Sequence, residues 1–336
     1  MKKRVVTVFL TCLLAASMLL GGCTSKSEKK ALEYKELGIK QLQQEDYDSA
    51  VDSFQKALDQ SLGKITANEL DVCYYKALAQ YKSGDAKAAL ESYSALIDYD
   101  AKNWEVYYLR GSVYLSEGDK DKSLKDYEEA VELNDSDLGL YGHICENLKN
   151  AGEDEEAEKY LEQGLALQPS SGTDYENVGY LYTIKGDTEN AVKAYQQAVE
   201  KGTDSASLKL GELYFSEGNT DEAKKAFEAY MEKHPNDADA LTHLADIAAE
   251  SGDTADAATY YEKAIDVADK SEQQGLRKNL VAFYENAGDF ANALKEAKSY
   301  VADYPKDTAM QKEYEFLQTR VENNAGDAIE GTVDEQ

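Results

Sequence analysis

The sequence predicts an all-α protein built as a linear stack of helical hairpins. One observation is repetition: YLSEGDKDKSLKDYEEA at 114–130 and YTIKGDTENAVKAYQQA at 182–198 place Tyr, Gly, Asp, Tyr and Ala at the same offsets, 68 residues apart. A second is composition, because only three prolines occur in 336 residues that are rich in good helix formers such as Ala, Glu, Lys and Leu. A third is the hydrophobic share of 42%, which is enough to build a core and excludes wholesale disorder.

The chain opens on MKKR, a basic stretch, and Val5 to Leu20 follow as an uncharged, mostly apolar run of 16 residues. That run is short of the roughly 20 residues a permanent spanning helix needs, so residues 1–22 are expected to be a signal peptide. It ends in Leu20-Gly21-Gly22-Cys23, which resembles the lipobox of bacterial lipoproteins. The resemblance implies that Cys23 is lipidated and becomes the mature N-terminus, anchoring the chain to the cell membrane on the side facing away from the cytoplasm. Residues 23–30 then read as a polar lipidated tether, in which Lys26, Lys29 and Lys30 outnumber Glu28. This basic end is expected to face the membrane while the acidic remainder points away.

Aligned on the Gly-Asp step, units begin near residues 31, 70, 104, 138, 172, 204, 238 and 274 and fill residues 31–307. Position 15 is Gly84, Gly118, Gly152, Gly186, Gly218, Gly252 and Gly288, with Glu45 the exception. Position 8 is Gly38, Gly111, Gly179 and Gly211 or Ala77 and Ala245, but Cys145 and Val281 in the fourth and eighth units. Position 24 is Phe54, Tyr93, Tyr127, Leu161, Tyr195, Phe227, Tyr261 and, last, Ala297. Apolar residues at 4, 7, 8 and 11 make one helical stripe, and those at 20, 24 and 27 a second. Between them the glycine suits the left-handed end of a helix, and the next residue, such as Asp187 or Asn219, suits the cap of the following one. Asn219 with Glu222 has the capping-box pattern. Pro169, Pro235 and Pro305 all fall on position 32, where they stop the second helix.

These positions resemble the tetratricopeptide repeat (TPR). The resemblance implies a right-handed α-solenoid of about eight hairpins plus a C-terminal capping helix. The units with Cys145 and Val281 are expected to pack less tightly. The two long spacings are expected to extend a first helix, with Thr66-x-x-Glu69 and Ser271-x-x-Gln274 as capping boxes. Residues 308–323 are expected to form the capping helix, and 324–336 an acidic disordered tail.

Catalytic signals are weak. His143, His234 and His243 have no metal-ligand spacing, and the first and last of these sit at position 6, where a solvated or partner-facing role is expected. Cys73 and Cys145 fall on interior positions two units apart, too far to pair, and read as buried free thiols. Asp135, Asp137 and Glu146 imitate part of a calcium loop, but Leu140 stands where its glycine belongs. The expectation is no enzyme, no metal and no cofactor. A net charge of −29 excludes nucleic acid as a partner class and allows a basic protein segment.

In the TPR family, positions 2, 5, 6, 9, 12 and 13 of the first helix line the binding groove. Carried onto this chain they give Tyr74, Tyr75, Tyr81, Tyr108 and Leu115, then Asn177, Tyr180 and Phe215, with Glu176, Lys209, Glu212 and Asp246 adding polar and acidic character. The Lys and Asn set with which some TPRs grip a C-terminal carboxylate is incomplete, because Ile39 and Ala282 stand at position 9 beside Lys35 and Lys278. The resulting expectation is an envelope scaffold that binds proteins or peptides. The alternative is a glycan or solute receptor that uses the tyrosines.

Overall fold

The computed structural model describes residues 26–60 and 65–330, so the signal-peptide, lipobox and Cys23 expectations lie outside the described residues. The described secondary structure is helical: α1 (Lys26–Gln43), α2 (Tyr47–Asp59), α3 (Ala67–Lys82), α4 (Ala86–Tyr99), α5 (Trp104–Ser116), α6 (Lys120–Leu133), α7 (Leu138–Asn150), α8 (Asp154–Ala166), α9 (Gly172–Lys185), α10 (Thr188–Glu200), α11 (Ser205–Ser216), α12 (Thr220–Met231), α13 (Ala238–Glu250), α14 (Thr254–Val267), α15 (Lys270–Asn286), α16 (Phe290–Asp303) and α17 (Thr308–Glu330). Odd-numbered helices up to α15 are first helices of the repeat, and even-numbered ones are second helices. No described helix is long and apolar enough to cross a membrane.

The turn inside each hairpin follows from the Gly-Asp step. Gly186 has φ +77°, where any side chain would be strained. Its amide donates to the Thr183 carbonyl (3.0 Å), and that of Asp187 to the Tyr182 carbonyl (2.9 Å), which closes a Schellman motif. The Asp187 carboxylate then accepts from the Asn190 amide (3.2 Å) and caps α10. Glu45 adopts the same turn at φ +61°, a left-handed conformation that costs a residue with a Cβ about 1–2 kcal/mol. Asn219 occupies the cap position without a side-chain cap bond, and its own amide is donated to the Tyr214 carbonyl (2.8 Å), so Glu222 has no capping N–H to accept and pairs with Lys225 (2.9 Å). The Thr66–Glu69 box forms, with Thr66 N–H donating to Glu69 (2.9 Å) and Asn68 N–H to Thr66 Oγ1 (3.3 Å). Ser271 is not a cap: it lies inside α15, and Asp269 takes that role by accepting from the Glu272 amide (3.0 Å). Both long spacings lengthen a first helix, α3 to 16 and α15 to 17 residues.

Each hairpin sets position 8 against position 24, which is an aromatic ring in all but the fourth and eighth units. A Cβ added at Gly179 would lie 2.6 Å from Tyr195 Cδ1, and one at Gly38, Gly211 or Gly111 would lie 2.6, 2.7 or 2.9 Å from Phe54, Phe227 or Tyr127. The second helix therefore approaches until the ring rests on bare backbone, and the rings of Phe54, Phe227 and Tyr127 are fully buried. Burial pushes the Tyr195 phenol up to about 12. Where position 8 is Cys145 or Val281, that side chain and the one facing it are nevertheless buried: Cys145 and Leu161 are 0% exposed, and Val281 and Ala297 are 1% and 0%. Beside Cys or Val at position 8 the facing residue is Leu or Ala instead of an aromatic, whereas Ala77 and Ala245 keep Tyr93 and Tyr261.

The chain divides into two compact units. One holds the residues up to Leu140 together with Glu146–Ala157, and the other holds Tyr141–Cys145 and everything from Glu158 onward. In the first, second helices pack on the next first helix (α2 on α3, α4 on α5), which joins Phe54, Val72 and Tyr75 in one core cluster and Tyr93, Val106 and Val113 in another. In the second, α10 packs on α11, α12 on α13, α14 on α15 and α16 on α17. The last of these buries Leu317 and Met310 of α17 against Tyr300 and Val281. Full burial of a leucine contributes about 1.5–3 kcal/mol, so α17 is held as a cap over the last hairpin.

Two boundaries differ from expectation. Residues 26–30, expected in the tether, form the start of α1, because Lys and Glu are good helix formers and the Ser27 hydroxyl ties the segment to the Gln60 carbonyl (2.6 Å). Residues 324–330, expected in the disordered tail, continue α17.

Gly179→Ala is expected to cost about 1–3 kcal/mol in urea unfolding. Combining it with Tyr195→Leu should cost less than the two single changes together, as the Cys145 and Leu161 pairing implies, and strict additivity would refute the contact. Glu45→Gly should raise stability by about 0.5–1 kcal/mol, strain relief exceeding the added chain entropy. Burial raises the Asp174 carboxyl, but hydrogen bonds from Ser170 and Ser171 outweigh it and hold it at about 2. Its stabilising effect is therefore complete above the ordinary carboxylate pKa of about 4 and lost as pH falls toward 2. The Ser170 and Ser171 amide signals should broaden or shift over that window, and not in Asp174→Asn.

Candidate protein-binding surface

The first helices present the positions expected to line a binding surface, and the structure sorts those residues into two groups. Tyr75 and Tyr108 are 7% and 4% exposed and belong to the core, which corrects the expectation that they line the surface. Tyr75 stacks on Phe54 (5.8 Å between centroids, 14° between planes), and Tyr108 on Tyr127 (5.9 Å, 28°). The Asn147 amide donates to the Tyr108 and Tyr127 hydroxyls (3.2 Å each) and to Ser112 Oγ (3.0 Å), which seals that polar edge. A phenol whose hydroxyl and ring are both used inside the fold offers little to a partner.

Tyr74, Tyr81, Leu115, Asn177, Tyr180 and Phe215 are half-buried, each with part of its side chain at the surface. Tyr74 meets Tyr75 edge-on (6.1 Å, 86°), and burial followed by Glu105 raises its phenol. Tyr180 sets the Cδ1–Cε1 edge of its ring against the backbone of Gly142, where a Cβ would come within 2.8 Å of Tyr180 Cδ1. Phe215 contacts the ring of His243 (5.8 Å), which is itself stacked on Phe227 (4.8 Å, 7°). His243 is thus half-buried between aromatic rings, and its Nδ1 is buried with no hydrogen-bond partner. The cysteines differ as well, since Cys145 is buried but Cys73 is only half-buried.

Charges on this face are largely neutralised locally. Lys209 pairs with Glu212 (3.0 Å), and Ser205 donates to Glu176 (3.0 Å), whose carboxyl burial raises. Lys35 is committed to Asp71 (3.0 Å) and Lys278 to Asp307 (2.6 Å), so neither side chain that would start a carboxylate clamp is available for one. Asp137 caps α7 by accepting from the Gly139 amide (3.0 Å), a structural use of the residue that imitated a calcium ligand.

One surface hollow escaped the sequence reading. Between α13 and α15 a cavity of about 460 Å³ is lined by Asp246, Ala249, Tyr261, Asn279, Ala282, Phe283 and Asn286, among others. The Tyr261 hydroxyl donates to Asp246 at its wall. These are positions 9 and 12 of one hairpin and 6, 9 and 13 of the next, so the register itself contained the signal. A larger, open hollow of about 630 Å³ lies between the second helices α4 and α6 and is rimmed by Lys87, Glu91, Asp98, Asp119 and Lys122.

Family models agree with this architecture. Tetratricopeptide repeat family models match residues 74–137 and 208–273, and a further one matches 175–200. Among solved structures, a tetratricopeptide repeat protein of Parabacteroides merdae is 18% identical, with 76% of this chain and 98% of that chain covered and a TM-score of 0.47. The Cut9–Hcn1 hetero-tetramer of the APC/C is 14% identical over 87% of this chain and 70% of that one, with a TM-score of 0.45. PilW, a type IV pilus biogenesis factor, is 14% identical over 72% and 97%, with a TM-score of 0.44. With the register, the hairpin turns and the packing at positions 8 and 24 all in place, the chain is a tetratricopeptide repeat protein.

Proposed function

We propose that this protein is a membrane-anchored, extracytoplasmic scaffold that holds segments of other proteins on the face formed by its first helices. Tetratricopeptide repeats bind proteins or peptides, and this coarser role follows from the family. The observation that carries the finer reading is the hollow between α13 and α15, where Asp246 and two asparagines stand beside Ala249, Ala282 and Phe283. Mixed apolar and hydrogen-bonding surface of this kind suits a peptide, whose side chains and backbone need both. The net charge of −29 favours a basic partner segment. The anchor is proposed from the order of basic stretch, apolar run and Leu20-Gly21-Gly22-Cys23. The glycan alternative relied on a row of open tyrosine rings, and it is weakened because Tyr75 and Tyr108 are buried.

An alkyne-tagged fatty acid fed to growing cells should label the protein and fail to label Cys23→Ala. In the same cells, a photo-crosslinking side chain at Ala282 or Tyr81 should capture discrete proteins, and one at the exposed Lys87 on α4 should not. Capture should fall several-fold when salt is raised before irradiation, since screening shortens the reach of charge to a few ångströms. Equal capture from Lys87 would contradict the scaffold face, and recovery of wall sugars in place of proteins would favour the glycan receptor.

A further inference from the structure

The two most exposed large hydrophobic side chains among the described residues are Ile65 (59%) and Tyr99 (54%). Both line one apolar hollow of about 430 Å³, whose walls include Leu58, Leu70, Cys73 and Leu96. None of its apolar lining stands at the binding-face positions described above; Leu70 and Cys73 come from α3 but at positions 1 and 4.

The position of this hollow in the hairpins says what it meets. Ile65 precedes the N-terminus of α3, and Tyr99 is the last residue of α4, so both lie at the edge where first helices begin and second helices end. The described chain enters the fold at that edge: α1 begins at Lys26, and the Ser27 hydroxyl donates to the carbonyl of Gln60, just past the end of α2 (2.6 Å). Leu58, two residues before Gln60, lines the hollow. Cys23 precedes Ser27 by four residues, a chain of at most about 14 Å.

We propose that the edge formed by Ile65, Tyr99 and the apolar hollow between them rests on the lipid surface to which the chain is tethered. This inference rests on the anchor proposed above. An aliphatic side chain gains from entering the headgroup–acyl boundary, and a tyrosine there buries its ring while its hydroxyl stays among the headgroups. The exposed Lys26, Lys29 and Lys30 at the start of α1 add favourable charge toward phosphates. The contact is chiefly apolar, because the chain as a whole carries −29. A second contact of this kind fixes which edge of the protein meets the membrane, which a flexible anchor alone does not do.

The sequence has a single tryptophan, Trp104, which permits a direct test. The lipidated protein carrying Trp104→Phe and Tyr99→Trp is reconstituted into phosphatidylcholine vesicles with or without bromine on the acyl chains. Bromination should quench at least half of the emission, and adding Ile65→Ser should reduce that quenching. Lys87→Trp in the same Trp104→Phe background should stay bright. Protein that floats with the vesicles while the Tyr99→Trp emission is unquenched would overturn this inference and leave the anchor intact. Protein that does not float would remove the anchor and the inference with it.

Discussion

The fold depends on one contact, the ring at position 24 lying on the backbone at position 8. A hairpin of 13-residue helices has little stability alone, because nucleating each helix costs more than its few hydrogen bonds return. What holds the two helices together is close approach over a large apolar ring. The glycines at 38, 111, 179 and 211 permit approach to a distance that no Cβ would allow. Where the fourth and eighth units lack that glycine, the facing residue becomes Leu161 or Ala297, and the side chains at both positions remain buried. Glycine with an aromatic is therefore the commonest solution, and alanine with tyrosine, at Ala77 with Tyr93 and Ala245 with Tyr261, is another.

Satisfying this constraint inside each hairpin decides what remains for function. Rings at position 24 and their hydroxyls are consumed by the interior, as the Asn147 cluster around Tyr108 and Tyr127 shows. The surface left over is the outward part of the first helices, where half-buried aromatic and polar residues alternate, and the edges where helices begin and end. A repeat protein of this kind can change its partner by changing side chains that the packing does not use.

Much of this was legible in the sequence, because the demands on backbone are specific to residue type. A left-handed turn asks for glycine, a cap for aspartate, and a stop for proline, so the hairpin boundaries could be read directly. The departures share a cause: a residue type fixes what a side chain can do, while its neighbours fix what it does. Asn219 and Glu222 have a capping-box pattern, yet the turn before them takes the Asn219 amide for the Tyr214 carbonyl. Ser271 has the capping pattern too, but Asp269, two residues earlier, starts the helix sooner and accepts the Glu272 amide. Tyr75 and Tyr108 stand at surface register positions, but a tyrosine is long enough to swing onto the ring of the adjacent second helix. The hollow at Asp246 needed residues from two hairpins, which only their stacking brings together.

The central contact can be observed without perturbing it. In protein labelled with carbon-13 at glycine Cα, a proton under an aromatic face moves upfield and shows a nuclear Overhauser effect to that ring. The account predicts both for Gly38, Gly111, Gly179 and Gly211, and neither for the turn glycines such as Gly84 and Gly186, which have nothing within 4 Å of their Cβ position. Ordinary chemical shifts at the four helix glycines, with no effect to Phe54, Tyr127, Tyr195 or Phe227, would contradict it.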